Sequence, residues 1–182
     1  MEFGKIISSF KSKKGNTVVF RYPKEDDFSS IWQFAKALAR EDTFIELNQE
    51  PTEEEERKWF DDMITKVTKG ESIYLCALVN GVFAGNVHVE KGRYRRRHVG
   101  HMGISLLAPY RDEGIGSVLM QTAIDEAKTR GLRLLTLTCF ENNPRALHVY
   151  EKLGFQNVGV IPGDLAYKGD YIGSIHMYLP LA

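Results

Sequence analysis

Apolar residues recur along the chain in two patterns, short runs and longer segments with a spacing of three to four. The short runs are rich in β-branched and aromatic residues, which is typical of strands. We predict seven strands, at residues 16–23, 72–79, 82–92, 98–107, 132–140, 155–161 and 171–181. Asn80 and Gly81 join the second run to the third, and Asn-Gly between two apolar runs indicates a tight β-hairpin.

Four longer segments carry apolar residues at the spacing of an amphipathic helix. They are residues 25–41, 51–67, 114–130 and 143–153. Thr52 and Glu55 form a capping box at the start of the second segment. Gly131 follows the third segment, where a glycine commonly ends a helix, and Asn143 is placed to cap the fourth.

The order of these elements, β-α-α-β-β-β-α-β-α-β-β, predicts an α/β protein with a mixed sheet and helices on its faces. The run 132–140 is almost wholly apolar, as expected of a strand buried on both faces. A length of 182 residues suits one domain, so we expect residues 1–182 to form a single domain.

Composition narrows the class of protein. The 24 basic and 24 acidic residues balance, which argues against general binding of DNA or of a membrane surface. Cys76 and Cys139 form no metal-binding or CxxC spacing, so we expect free thiols in a reducing compartment. Because no secretory signal or membrane-spanning run is visible, we expect a cytoplasmic protein.

The segment "APYRDEGIG" (108–116) joins a predicted strand to a predicted helix through a turn that contains Gly114 and Gly116. The first amides of a helix lack internal partners and lie at the positive end of its dipole, so such a turn suits a phosphate or diphosphate. A P-loop is excluded because no Lys-Ser/Thr follows the last glycine, and a dinucleotide fingerprint because position 119 is Leu. An ordinary glycine turn remains the alternative for this segment alone.

A second motif lies downstream, in "NPRALHVYEKLGF" (143–155). Together with Arg111-x-x-Gly114-x-Gly116, it resembles the GCN5-related N-acetyltransferase (GNAT) family over most of the chain. The resemblance implies a mixed, mostly antiparallel sheet of six to seven strands flanked by four helices. It also implies a pair of parallel central strands that splay apart.

The resemblance implies acetyl-CoA as co-substrate and implies no metal. In that family the loop amides bind the diphosphate and an open strand edge binds the pantetheine arm. The residues at the corresponding positions of this chain are Leu106, Leu107, Arg111, Asp112, Glu113, Gly114, Ile115, Gly116, Ser117 and Asn143. Asp112 and Glu113 depart from the family, because carboxylates would repel a diphosphate, and we expect both side chains to point into solvent. The Leu107 amide is expected to stabilise the oxyanion.

The resemblance also implies catalytic roles. Tyr150 matches the tyrosine that donates a proton to the coenzyme sulfur, and its alternative is a core tyrosine. For the base that deprotonates the amine, His101 is our candidate, with His98, Glu90 or a water chain as alternatives. Asn143 either binds the pantetheine or only caps its helix.

The predicted reaction moves the acetyl group of acetyl-CoA to a primary amine by direct attack in a ternary complex. The expected acceptor is a small molecule such as an amino acid, a polyamine or an antibiotic-like amine. Glu46, Glu50 or an acidic residue of the segment 52–57 could attract a cationic amine. The alternatives are a protein N-terminal or ribosomal-protein acetyltransferase and a non-catalytic acyl-CoA-binding module. The arginine-rich segment 92–98 is either a solvated hairpin tip or a clamp for an acidic group or RNA. The late strands of that family often support homodimers, so the oligomeric state stays open.

Overall fold

A computed structural model describes residues 3–181, which form one eight-stranded sheet and four α-helices. The strands are β1 (Ile6–Lys11), β2 (Thr17–Arg21), β3 (Ser72–Val79), β4 (Val82–Lys91), β5 (Val99–Leu106), β6 (Leu134–Phe140), β7 (Gln156–Tyr167) and β8 (Asp170–Pro180). The helices are α1 (Phe28–Glu41), α2 (Glu53–Thr68), α3 (Ile115–Thr129) and α4 (Pro144–Lys152). The strand order is β1-β2-β3-β4-β5-β6-β8-β7. The predicted mixed, mostly antiparallel sheet with four helices is confirmed.

Strand β1 was not predicted, so the sheet has one strand more than the expected seven. Its sequence, IISSFK, is polar at half of its positions and none of its residues is buried. The strand forms because its backbone pairs with the adjacent β2 in antiparallel register, and an exposed edge strand leaves little hydrophobic signal in the sequence. Phe10 supplies one anchor, with its ring centroid 5.3 Å from that of Phe20.

Both tight hairpins follow from residues that accept positive φ. Asn80 and Gly81 have φ values of 49° and 82° and join β3 to β4, which confirms the predicted hairpin. Lys168 and Gly169, with φ values of 51° and 89°, make the same kind of turn between β7 and β8. The predicted β7 stopped at residue 161, but pairing with β8 extends it to Tyr167.

Helices cover both faces of the sheet. On one face, the Trp59 ring of α2 makes an edge contact with Tyr74 of β3. Tyr74 lies opposite His88, and His88 lies opposite Gly103, so the same face carries the odd-numbered residues of β5. The start of α3 lies on the other face, because a Cβ on Gly116 would be 3.3 Å from the Leu106 side chain.

The predicted capping box at Thr52 and Glu55 is present at the start of α2.

The parallel strands β5 and β6 separate part-way along their length. Their residues pair only from Val99 opposite Leu134 to His101 opposite Thr136. Beyond that point β5 continues to Leu106 and β6 to Phe140, while the described residues show no further pairing between them. The sheet therefore opens into a V, which confirms the expected splay. None of the helices between residues 3 and 181 is long and apolar enough to cross a bilayer.

Candidate active site

A cleft of about 600 Å³ lies where β5 and β6 diverge. It extends from the segment that follows α1, past the open part of β5, to the turn before α3 and the start of α4. Its lining includes eight of the predicted site residues: Leu106, Arg111, Asp112, Gly114, Gly116, Ser117, Asn143 and Tyr150. Leu107, Glu113, Ile115 and His101 are not among the lining residues. The fold thus gathers residues from both sequence motifs into one cavity.

The turn 111–117 presents main-chain amides to the cleft. Asp112 and Gly114 adopt left-handed φ values of 64° and 81°, which reverse the chain directly before α3. No side chain caps the helix at Gly114, and the first intrahelical bond there is the 3.3 Å contact from the Val118 amide to the Gly114 carbonyl. The amides of the first turn therefore lack internal partners and form a site for an anion.

The two acidic side chains of this turn behave differently. Asp112 is exposed, as predicted, and its carboxylate lies 2.7 Å from Arg145 Nη2. Glu113 was predicted to point into solvent, and that prediction is wrong, because the residue is only 3% exposed. The prediction that both side chains point into solvent therefore holds for Asp112 alone.

The buried Glu113 carboxylate is satisfied by the turn between β1 and β2. It accepts hydrogen bonds from Ser12 Oγ at 2.6 Å and from Asn16 Nδ2 at 3.0 Å, and Lys14 Nζ lies 3.3 Å away. These partners, Ser12 first, lower the pKa of Glu113 below its usual value. The Glu113 side chain thus faces the turn between β1 and β2, and the sequence pattern did not predict β1.

Arg111 is held by groups inside the protein. Its Nε donates to the Leu106 carbonyl at 2.8 Å, and its Nη2 pairs with the carboxylate of Glu41 at the end of α1. The guanidinium therefore ties the turn to the end of β5 and to α1. Part of the positive charge expected to face a diphosphate is offset by Glu41.

Ile104 and Leu106 lie at the edge of β5 that is left unpaired by β6. In an antiparallel pair, every second residue of β5 hydrogen-bonds to β4 through its amide and carbonyl. The residues between them point these groups away from β4, toward β6. The Leu107 amide donates to the Ala84 carbonyl at 3.0 Å, which places it on the β4 side. The expectation that the Leu107 amide faces the thioester is therefore wrong. By the same alternation, Ile104 and Leu106 direct their main-chain groups into the gap left by β6.

Tyr150 lines the cleft from α4 and packs against Phe155, with ring centroids 6.2 Å apart. Burial raises the pKa of its phenol, and nearby Cys139 adds to the shift. Its hydroxyl has no hydrogen-bond partner within residues 3–181. The side chain is therefore a protonated phenol at neutral pH with a free donor.

Asn143 both caps α4 and lines the cleft. Its Oδ1 accepts from the Ala146 amide at 3.1 Å, which is the predicted capping interaction. Capping uses only the oxygen of the amide, so the Nδ2 donor stays available for a ligand. The two roles considered for this residue are compatible.

His101 lies at the last paired position before the strands separate. Its Nδ1 is 3.2 Å from the Thr136 hydroxyl, and desolvation lowers the pKa of the imidazole, while Glu46 and Glu90 oppose the shift. Ser105 is the residue on the same face that lines the cleft, and four residues of strand separate the two by about 13 Å. Of the alternative bases, Glu90 lies opposite His101 and 3.3 Å from Lys66, and His98 is exposed.

The model of the acetyltransferase (GNAT) family matches residues 32–155, which is more than half of the chain. This chain belongs to the GNAT family. The matched segment includes both motifs, the splayed strands and most of the cleft. The family assignment agrees with the fold expected from the motifs.

Two curated relatives share part of this GNAT sequence. The L-amino acid N-acetyltransferase AaaT of Escherichia coli is 31% identical over 106 residues, 57% of this chain and 65% of that protein. The match therefore spans slightly less than two thirds of that relative's length. The putative phosphinothricin acetyltransferase YwnH of Bacillus subtilis is 30% identical over 122 residues, 65% of this chain and 72% of that protein.

Solved structures agree with the GNAT fold over nearly the whole chain. A GNAT-family acetyltransferase from Streptococcus pneumoniae superposes with a TM-score of 0.81 at 28% identity and covers 91% of this chain and 99% of that one. RimL, a ribosomal L7/L12 α-N-protein acetyltransferase solved with coenzyme A, gives a TM-score of 0.82 at 18% identity and covers 97% and 98%. The likeness to RimL concerns the fold alone.

The cleft of this GNAT-family chain also contains residues that the sequence motifs did not predict. They are Lys13, Leu38, Thr43, Phe44, Ile45, Ile104, Ser105, Met120, Asn142, Pro144, Arg145, Ala146, His148 and Val149. Ile104 could have been found from strand alternation, and Arg145 and His148 from their places inside the second motif. Lys13 and Phe44 come from connections whose positions depend on tertiary packing, and no local sequence signal marks them.

Proposed function

We propose that this GNAT enzyme transfers the acetyl group of acetyl-CoA to the primary amine of a small molecule, by direct attack in a ternary complex. One observation carries the proposal: the amides of the turn 111–117, the open edge of β5 and the Tyr150 side chain meet in a single cleft. Those three features supply an anion site, a partner for a peptide-like arm and a proton donor.

The coenzyme would lie along β5. Its diphosphate binds the free amides at the start of α3, where Gly114 and Gly116 allow close approach. Its pantetheine arm pairs with the main chain of Ile104 and the amide of Leu106, as an added strand would, since the Leu106 carbonyl already accepts from Arg111. Asn143 Nδ2 is placed to donate to that arm. Ile115, which is 1% exposed, anchors the turn in the core.

In the reaction, the amine nitrogen attacks the thioester carbonyl and the carbon–sulfur bond then breaks. Because the Leu107 amide is engaged by Ala84, the oxyanion is assigned instead to an amide of the open β5 edge, at Ile104 or Leu106. Orienting the two reactants in one cleft supplies much of the acceleration.

Tyr150 would donate to the leaving sulfur. A thiol has an ordinary pKa of about 8.5, below that of a phenol, so Tyr150 stabilises the departing thiolate mainly as a hydrogen-bond donor. The raised pKa of its phenol keeps it protonated over the whole range in which the enzyme would work. The sulfur then takes up a proton from Tyr150 or from water.

His101 would remove the proton of the attacking amine through a chain of water molecules. The Thr136 hydroxyl donates to the Gly100 carbonyl at 3.5 Å, so the hydroxyl oxygen is free to accept a hydrogen bond from Nδ1–H of His101. The other ring nitrogen of His101, Nε2, is then unprotonated and is the basic atom. The lowered pKa of His101 favours the neutral, basic imidazole at pH 7. The distance from His101 to Ser105 at the cleft requires the water.

The acceptor would approach from the side of Thr43, Phe44 and Ile45, which border the cleft after α1. Phe44 stacks on Tyr167 with ring centroids 5.2 Å apart, which gives this side an aromatic wall. The two curated relatives are named for amino-acid and phosphinothricin substrates, and this supports a small amine over a protein.

A thiol-release assay with acetyl-CoA tests the proposal. The acceptors are a panel of amino acids, polyamines, aminoglycosides and a peptide that begins with serine. Release with a small amine supports the proposed function, and release with the peptide alone replaces it with protein N-terminal acetylation. Binding of coenzyme A with no turnover on the panel would favour an acyl-CoA-binding module.

A further inference from the structure

Three lysine or arginine side chains line the cleft, and two of them are already paired with carboxylates. Arg111 pairs with Glu41, and Arg145 pairs with Asp112. Lys13 forms no ion pair within the described part of the chain. It is therefore the cleft cation whose charge is free to meet an anionic ligand.

Lys13 is brought to the cleft by the turn between β1 and β2, which docks on the turn before α3. The Lys13 amide donates to the Glu113 carbonyl at 3.2 Å, while Ser12 and Asn16 donate to the Glu113 carboxylate. The Lys13 side chain then passes over Gly114, where a Cβ would lie 3.5 Å from Lys13 Cε. The turn between β1 and β2 thus places the exposed Lys13 side chain beside the free amides of α3.

We propose that Lys13 binds the diphosphate of the coenzyme and that Glu113 is the positioning residue that holds Lys13 there. This inference rests on the proposed function. The diphosphate is assigned in preference to the more distant phosphate on the ribose because Lys13 lies against Gly114, at the first free amides of the helix. An ammonium adds a mobile point charge to amides that already accept the anion.

The charges around the turn support this arrangement. Asp112 and Glu113 would repel a diphosphate, but Arg145 pairs with the first and the turn between β1 and β2 encloses the second. The same interaction that removes the Glu113 carboxylate from the cleft brings Lys13 into it. The strand pair at the edge of the sheet thereby becomes part of the coenzyme site.

Isothermal titration of the full chain with coenzyme A, dephospho-coenzyme A and pantetheine tests Lys13. The variants are Lys13→Ala, Lys13→Arg and, as a matched control, Lys5→Ala, which removes an exposed lysine that does not line the cleft. We expect Lys13→Ala to raise Kd about 5- to 20-fold, as loss of one charged hydrogen bond does. The increase should be equal for the two nucleotides and absent for pantetheine. Lys13→Arg and Lys5→Ala should change the Kd for coenzyme A by no more than about twofold.

Each outcome separates this inference from the proposed function. If the wild type gives no heat with coenzyme A, the proposed function fails. If the wild type binds and Lys13→Ala binds equally well, the inference fails and the proposed function stands. If Lys13→Ala weakens the binding of coenzyme A but not of dephospho-coenzyme A, the diphosphate assignment is wrong and Lys13 contacts the ribose phosphate.

The role of Glu113 is tested by a double-mutant cycle in coenzyme affinity. Glu113→Ala should weaken binding, Glu113→Gln should restore most of it because its oxygen still accepts from Ser12, and Lys13→Ala should add little to Glu113→Ala. The salt dependence of Kd should fall by the same amount in Lys13→Ala and in the double variant. Additive losses would show that Glu113 does not act through Lys13.

Discussion

His101 and Thr136 are the last cross-strand partners of β5 and β6, and the imidazole Nδ1 lies 3.2 Å from the threonine hydroxyl. Beyond this pair the strands diverge and the cleft begins. Thr136 thus contacts one nitrogen of the imidazole directly before the strands separate.

We expect His101→Ala to lower the rate most at low and neutral pH and progressively less as the pH rises. The pKa of His101 is lowered, so the imidazole of the wild type is neutral and can act as a base at pH 7. The variant lacks this base and reacts only with the fraction of amine that is already deprotonated, and the amine has a pKa of about 10. A pH–rate profile from pH 6 to 10 with the best acceptor from the panel measures this, and the loss at pH 7 should be about 100-fold or more. Thr136→Val should give a smaller loss of the same shape. Parallel profiles for the wild type and His101→Ala would remove the histidine from the mechanism.

Tyr150→Phe should lower kcat about 10- to 100-fold while the Kd for coenzyme A stays nearly unchanged. The phenol hydroxyl has no hydrogen-bond partner among the described residues, so removing it leaves the ring packing against Phe155 intact. Stopped-flow turnover and isothermal titration of the same preparation check the two quantities separately. A collapse of coenzyme affinity in Tyr150→Phe would assign the tyrosine to binding instead.

Glu113 should stabilise the fold at neutral pH and lose that effect in acid. Its pKa is lowered in the folded state, so its contribution is present above the unfolded value of about 4.3 and is lost as the pH falls through the folded pKa. Urea unfolding of the wild type and Glu113→Gln should therefore show a stability difference at pH 7 that shrinks toward pH 3. Asp112→Asn, which alters an exposed carboxylate, is the matched control and should change little. A difference that is constant with pH would contradict the prediction.

Gly100→Ala should destabilise the fold by about 1–3 kcal/mol, because the added methyl group overpacks the junction of β5 and β6. Its Cβ would lie 2.5 Å from Val89 Cγ1 and 2.9 Å from the Leu132 and Leu135 side chains. Val89→Ala in the same chain should recover part of the loss, since it removes the nearest atom. Chemical denaturation of both single variants and the double variant measures the coupling. A double variant whose losses simply add would show that the Val89 contact is not the cause.

Local sequence signals were sufficient for the elements that carry strong hydrophobic patterns. The runs that became β2 to β8 and the four helices were predicted with their order, because apolar periodicity reflects which face each element buries. The hairpin at Asn80 and Gly81 and the capping box at Thr52 and Glu55 were predicted because each depends on residues close together in the chain. The family and the position of the cleft followed from two short motifs.

The sequence by itself thus determined the helices, seven strands, the family and the turn that begins α3. Only the tertiary structure decided that β1 pairs with β2, that Glu113 is buried against Ser12, and that Arg111 meets Glu41. It also decided that Leu107 bonds Ala84, which leaves Ile104 and Leu106 at the open edge. The physical reason is that polar side chains and exposed strand edges pair according to their positions in space. Neither a polar edge strand such as β1 nor a contact between residues far apart in the chain produces a hydrophobic pattern in the sequence.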